Sequence, residues 1–307
     1  DDVDGDAVSF SGAPGPASVR WAAPRPCYPP ALVAEGLAFV RRMPGFGPVT
    51  AAERAACAAK AAELSRAHGV RLGAAQLVAM RRMEVALAAQ RSGVRAQRHG
   101  EEIAAAHAAG EPVTAIAARL RLPPTSVLRQ VLLEGGAGAA QVREAIADPA
   151  RLPGGPAGRL AAELPAILAA DIGSRPNAEA IRAEAQAFED AVGAHLRGLG
   201  LAFETEADLR RAAGPGEPPP LTPDFLFSGD VAIDGRPVAW LDAKNYAATD
   251  SALVMASLKK QARKYTARFG PGAFVFAGGL MCGSRTGGLG VLLLDGSALA
   301  EGGPGAA

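Results

Sequence analysis

Apolar and polar positions set out the elements of the C-terminal half most clearly. Ile181, Ala185, Phe188, Val192, Leu196 and Leu199 recur at spacings of three and four, which predicts a helix over 178–199 with one buried stripe. Leu201-Ala202-Phe203 opens a strand, with Glu204 and Glu206 after it, and 214–220 is a stiff proline-rich loop. Two strand patterns follow, one in Thr222-Pro223-Asp224-Phe225-Leu226-Phe227 and one over 238–244. In the second, period-two alternation puts Val238, Trp240, Asp242 and Lys244 on one face and Ala239, Leu241 and Ala243 on the other. Asp234-Gly235 is a two-residue hairpin signal, so these strands are expected to pair antiparallel and bring Asp224 beside Asp242. A helix over 251–268 carries Val254, Leu258, Gln261 and Tyr265 along one side. Runs at 273–277 and 290–294 read as buried strands joined by a loop at 282–288, and the tail beyond Leu299 as disordered.

The N-terminal half reads as helical. Residues 1–40, rich in Pro, Gly and Asp, form an expected mobile or loosely docked arm. Thr50 and Glu53 make a capping box, Gly69 stops that helix, and a second covers 74–90 before Ser92-Gly93. Helices at 103–109, 114–120 and 126–133, broken at Pro123-Pro124, share Val113, Ile116, Ala117, Leu120, Leu122, Val127, Leu128 and Val131 as a helix-turn-helix core. In that arrangement Ser126, Arg129 and Gln130 are the exposed nucleic-acid-reading residues; a small bundle that binds protein fits the same pattern. Gly135-Gly136-Ala137-Gly138 and Leu152-Pro153-Gly154-Gly155-Pro156 mark a linker with short helices near 140–146 and 159–170. The expected organisation is therefore an arm (1–40), a helical domain (41–134), a linker (135–175) and a second domain (176–300). The fold class is α+β or α/β, with a mixed sheet flanked by helices.

The chemistry lies in that sheet. Two close carboxylates repel each other and raise one pKa unless they share a cation, and hard oxygen ligands suit Mg2+ or Mn2+. A lysine two residues after the second acid can hold the attacking water and offset charge growing on phosphorus. Asp224, Asp242 and Lys244 are thus the pattern of a phosphodiester-cleaving site. Glu184 and Glu189 flank the helix stripe on opposite sides, so either can lean toward the metal.

Composition changes the picture little. The chain has 307 residues, 49% of them hydrophobic and only 5% aromatic, which supports two helix-rich cores built partly on alanine. A net charge of +1 conceals a local surplus, since residues 41–100 hold eleven Lys and Arg against three Glu; such a run can track a phosphate backbone or form a solvated helical face. Cys27, Cys57 and Cys282 are scattered, as are the four histidines, which indicates neither a disulfide framework nor a zinc site and fits a reducing compartment. No apolar run approaches a membrane span, and the acidic start Asp1-Asp2-Val3-Asp4-Gly5-Asp6 is unlike a signal peptide.

Thr222-Pro223-Asp224-Phe225, then Trp240-Leu241-Asp242-Ala243-Lys244, then Gln261, Tyr265 and Arg268-Phe269-Gly270-Pro271-Gly272, together resemble the TPD-motif family of the PD-(D/E)xK nuclease superfamily, known in animals as the codanin-interacting nuclease. The resemblance covers roughly 178–295. It implies a restriction-endonuclease-like core and a Mg2+-dependent nuclease, with DNA the expected substrate. Asp224 and Asp242 would ligate the metal with the carbonyl of Ala243, Glu189 would contribute directly or through water, Lys244 would position the nucleophile, and Gln261 would orient the water or a phosphate oxygen. It further implies a nuclear or cytoplasmic setting and a codanin-like protein partner. In one place the chain departs from the family. The family's helical motif resembles His-Glu-aromatic-Glu; Phe188 and Glu189 match it, but Gln186 and Ala187 do not. A catalytically idle nuclease fold that docks a codanin-like protein or nucleic acid is the alternative, and a regulator working through the helix-turn-helix is a third.

Overall fold

The computed structural model describes residues 17–21, 28–213, 221–249, 252–281 and 286–301. The chain starts with strand β1 (Ala17–Val19) and helices α1 (Pro30–Arg41), α2 (Ala51–His68) and α3 (Ala74–Arg98). Helix α2 begins on the expected capping box, Thr50 Oγ1 accepting from Glu53 N at 3.2 Å while Glu53 Oε2 accepts from Thr50 N at 2.8 Å, and stops at Gly69 with φ 64°. Helix α3 runs past the expected stop at Ser92-Gly93. Ser92 returns its hydroxyl to the carbonyl of Ala89 at 2.6 Å, and burial of Ala96 further on offsets the cost of a helical glycine.

Helices α4 (Gly100–Ala108), α5 (Val113–Leu120), α6 (Pro124–Glu134), α7 (Ala139–Ala147) and α8 (Arg159–Ala169) form a bundle. Its core joins Ile103, Ile116 and Leu128 to Val142, Leu152, Leu160, Leu164 and Ile167. The segment 135–175 is therefore part of a core and not a linker. Its glycines suit a linker, but its apolar residues recur at helical spacing and are buried.

A long helix, α9 (Arg175–Gly198), leads into β2 (Phe203–Thr205), α10 (Glu206–Ala213), β3 (Phe225–Phe227), β4 (Val231–Ile233), β5 (Arg236–Pro237), β6 (Trp240–Lys244) and β7 (Ala248–Thr249). Helix α11 (Ala252–Phe269), β8 (Gly272–Phe276), β9 (Leu280–Met281), β10 (Leu292–Asp295) and α12 (Ser297–Glu301) complete it. The fold is α+β: a mostly helical N-terminal region followed by mixed sheets. The main sheet is five-stranded in the order β10-β8-β6-β3-β2. Strands β10, β8 and β6 are parallel, and β3 runs antiparallel to both β6 and β2. One face packs Leu241, Ala273 and Val275 against Phe188, Val192 and Leu196 of α9. The other packs Trp240, Phe274 and Phe276 against Met255, Leu258, Ala262 and Tyr265 of α11.

The Asp234-Gly235 turn does not join the two site strands. Asp234 (φ 51°) and Gly235 (φ 74°) connect β4 to β5, the left-handed pair a two-residue hairpin requires. These strands make a separate three-stranded sheet with β1, where Ser18 is in register with Ala232. The arm is thus partly built in. Trp21 is buried and donates its indole N–H to the carbonyl of Asp295 at 2.8 Å, Tyr28 is buried, and α1 packs on α3. Val238 likewise leaves the expected face, donating to the carbonyl of Val231 and packing in the α9-side core. Residues 1–16, the loop 214–220, Cys27, Cys282 and the tail beyond 301 lie outside the described residues. Among the described residues no helix is long and apolar enough to cross a membrane.

Candidate functional site

Strand register builds the site. Phe225 pairs with Leu241 and Leu226 with Trp240. One further step of the same ladder sets Asp224 opposite Asp242, where directly opposed Cβ atoms stand about 5 Å apart. Both side chains share the α11 face, because Leu226 and Trp240, two positions away in each strand, lie there. Asp224 Oδ2 accepts from the backbone N–H of Ala243 at 2.6 Å. In an extended strand a residue's N–H and C=O point the same way, so the carbonyl of Ala243 faces the same edge.

Three more side chains close around the acids. Lys244 Nζ forms an ion pair with Asp242 Oδ1 and lies 5.3 Å from the centre of the Phe274 ring. Gln261 Nε2 donates to Asp242 Oδ2 at 2.6 Å and to Tyr265 Oη at 3.2 Å. Tyr265 in turn donates to the carbonyl of Thr222 at 2.7 Å, tying α11 to the Thr222-Pro223-Asp224 segment. The polar pair on the α11 stripe is therefore spent on orienting the second aspartate.

Electrostatics follow from burial. Desolvation, then the charge on Asp242, push Asp224 up to about 8, against the weaker pull of the Ala243 N–H and Lys244. Asp242, only 2% exposed, is also raised, chiefly by desolvation, with Lys244 opposing. Glu189 on α9 is half-buried and raised by desolvation and by the nearby charges of Glu206 and Asp242. Glu184, the other candidate acid, points elsewhere and pairs with Arg82 of α3 at 2.5 Å.

Glu206 was not singled out by the sequence. Its backbone N–H donates to the carbonyl of Asp224 at 3.2 Å and its carboxylate accepts from Thr222 Oγ1 at 3.0 Å, while Arg210 pairs with it at 2.7 Å. The signal was available. Thr205 and Asp208 form a capping box that starts α10 at Glu206, which sets this acid beside the strand carrying Asp224.

Of the three reading residues expected on α6, the structure buries one. Helix α6 is enclosed by α3, α4, α5, α7 and α8, and Gln130 is 5% exposed, Ser126 half-buried and Arg129 exposed. The start of α6 is also held from below: buried Asp171 accepts from Thr125 N at 3.0 Å and from Thr125 Oγ1. The expected helix-turn-helix core is present, and the additional helices packed on α6 bury Gln130 while Arg129 stays exposed.

Among the described residues no group of three or more His, Cys, Asp or Glu side chains is gathered closely enough to hold a metal ion by itself. What the fold and site define is an α+β chain with a buried aspartate, a half-buried one opposite it and a lysine on one face of a mixed sheet. Residues 156–287 match the family described as proteins of unknown function with the TPD sequence motif. An uncharacterized protein of Acanthamoeba polyphaga mimivirus is 38% identical over 118 residues, covering 37% of this chain and 41% of the viral one, so the chain spans less than half of that curated relative. No solved structure matches.

Proposed function

We propose that the chain is a metal-dependent nuclease that hydrolyses phosphodiester bonds, with DNA as the favoured substrate and a fold of the PD-(D/E)xK type. The observation that carries this reading is the placement of Asp224 opposite Asp242 with Lys244 alongside, all in an apolar setting. Buried like charges are costly unless a cation offsets them. The donor set fits Mg2+ or Mn2+: two carboxylates with the carbonyl of Ala243, supplemented by Glu189 directly or through water, leave room for water and a phosphate oxygen. Such an ion, when bound, supplies a water of lowered pKa and an electrophile for the phosphate.

The chain's own groups do the positioning. Gln261 fixes one oxygen of Asp242, and the Ala243 N–H fixes one of Asp224, so the remaining oxygens are held in place. Lys244, released from Asp242 as the site loads, holds the water and the non-bridging oxygen that gains charge. The water oxygen bonds to phosphorus in line with the breaking P–O ester bond, its proton passes to solvent, and the leaving oxygen takes a proton from solvent.

The alternative, a docking module with an idle site, rests on Lys244 already neutralising Asp242 without a metal. A codanin-like partner and a nuclear or cytoplasmic setting belong to either proposal. The test is cleavage of labelled single-stranded, duplex, flapped and four-way DNA and of RNA across a Mg2+ and Mn2+ titration. Asp224→Asn and Lys244→Ala are expected to abolish cleavage; equal activity in wild-type and variant preparations defeats the nuclease reading and leaves the docking one.

A further inference from the structure

A second charged feature lies apart from the acid site. A cavity of about 740 Å³ opens between the end of α1, α3, α5 and the start of α6. It is lined by Arg41, Arg42, Arg81, Arg95 and Arg121, against the single carboxylate of Glu84. Three of the five guanidinium groups are engaged. Arg41 pairs with Glu84 at 2.8 Å, Arg95 donates to the carbonyl of Leu120 at 2.9 Å, and Arg81 donates to the carbonyls of Pro44 and Gly45 at 2.7 and 2.8 Å. Arg42 and Arg121 are exposed and have no partner among the described residues.

Arg81 shows that the cavity is more than a dent in the surface. It is 6% exposed, yet its Nε has no hydrogen-bond partner, and the nearest carboxylate oxygen, on Glu53, is 3.9 Å away. A buried donor without a hydrogen bond is costly, and only the ion pair with Glu53 offsets it. Arg121 adds a second oddity. It closes α5 in the left-handed region at φ 52°, which non-glycine residues seldom adopt.

We propose that this cleft binds the phosphodiester backbone of a nucleic-acid strand, with Arg42 and Arg121 on its phosphates and Arg81 fixing its floor. The chemistry favours phosphate over a carboxylate-bearing peptide. All five cations are arginines, whose planar forks meet phosphate oxygens two at a time, and the half-buried Phe46 and Met43 in the lining give sugars and bases an apolar surface. The proposal deepens the nuclease reading and rests on it for the choice of polymer. Helix α3 links the two places, since Arg81 lines the cleft while its neighbour Arg82 holds Glu184 on α9, the helix that also carries Glu189.

The test uses the full chain in EDTA, where binding is read without cleavage. Affinity for fluorescent duplex and single-stranded oligonucleotides is measured against KCl concentration for wild type and for Arg42→Gln combined with Arg121→Asn. Both positions are exposed, and asparagine tolerates the left-handed backbone at 121. The expected result is affinity weaker by about tenfold or more, with the slope of log K against log salt on duplex reduced by about 1.8, near 0.9 for each phosphate no longer neutralised. Unchanged affinity and slope overturn the proposal, as does wild type that binds no oligonucleotide at low salt. Displacement of the oligonucleotide by polyglutamate or by inorganic phosphate at matched charge overturns it in favour of an acidic peptide or a small anion. Cleavage with Mn2+ separates the two readings: strand binding through the cleft without cleavage defeats only the nuclease, and cleavage that ignores the double variant defeats only the cleft.

Discussion

Replacing Asp224 with asparagine removes one acid of the close pair while keeping the acceptor for the Ala243 N–H. In the folded chain Asp224 is pushed up to about 8, mainly by burial and secondarily by Asp242. An unfolded aspartate titrates near 3.9. Between those values the folded state binds the proton that the unfolded chain has lost. Its contribution is therefore fully present below the unfolded pKa and is lost as pH rises toward 8, at about 1.4 kcal/mol per pH unit. From pH 5 to pH 7 the ceiling is about 3 kcal/mol, lowered in practice because Asp242, itself raised by burial, shares the same site. With about 2 °C of melting temperature per kcal/mol for a chain of this size, wild type in EDTA should lose up to about 6 °C over that interval relative to Asp224→Asn. Thermal melts followed by circular dichroism at half-unit pH steps read this directly. Saturating Mn2+ at pH 7.5 should then raise the wild-type melting temperature and leave the variant unmoved. Parallel pH curves for the two proteins would show that Asp224 is not desolvated beside Asp242, and the argument for a shared cation would go with them.

Two further substitutions test the scaffold. In Gly272→Ala the added Cβ would lie 2.0 Å from Trp240 Cε2, and Trp240 is fully buried with its indole N–H donated to the carbonyl of Gly270 at 3.0 Å, so a loss of about 3 kcal/mol or more in urea unfolding is expected, with a shifted tryptophan emission. Asp171→Ala removes the acceptor for Thr125 N and Oγ1 and, at 2.8 Å, for Gly173 N, and should cost about 2 to 4 kcal/mol; a loss below about 0.5 kcal/mol in the same assay would show that α6 is not anchored there.

What the sequence discloses and what it hides divide along physical lines. Alternation carries the site: the period of two in 240–244 fixes which side chains share a face, and one ladder step then sets Asp224 against Asp242. A turn signal carries less. Asp234-Gly235 announces a hairpin, but nothing local says which strands it joins, and the third strand of that sheet comes from Ala17–Val19 at the far end of the chain. Helix stripes fail in a related way. The apolar positions of α6 reveal that one face is buried but not that five helices pack around it, and so Gln130, polar by type, is read as exposed and proves buried. Glycine and proline in 135–156 weigh toward a linker, while the burial of Val142 and Leu152 is decided by α8 and α6, which no window along the chain includes.

Helix α3 explains why an N-terminal helical region and a sheet with a candidate site act as one body. Its first half contributes Leu77, Val78 and Met80 to a core that also holds Ala247 and Met281, the residues just beyond β6 and within β9. Ala79 lies so close to Gly278 that a Cβ there would stand 2.8 Å from it. Its last turns contribute Ala96 to the bundle core. A single 25-residue helix, about 37 Å long, is thus shared by two cores, and in its third turn Arg81 and Arg82 have different neighbours, the arginine-lined cleft and α9. Packed interiors resist continuous deformation, so that helix ties the cleft-bearing bundle to the segment that follows β6 through two shared cores.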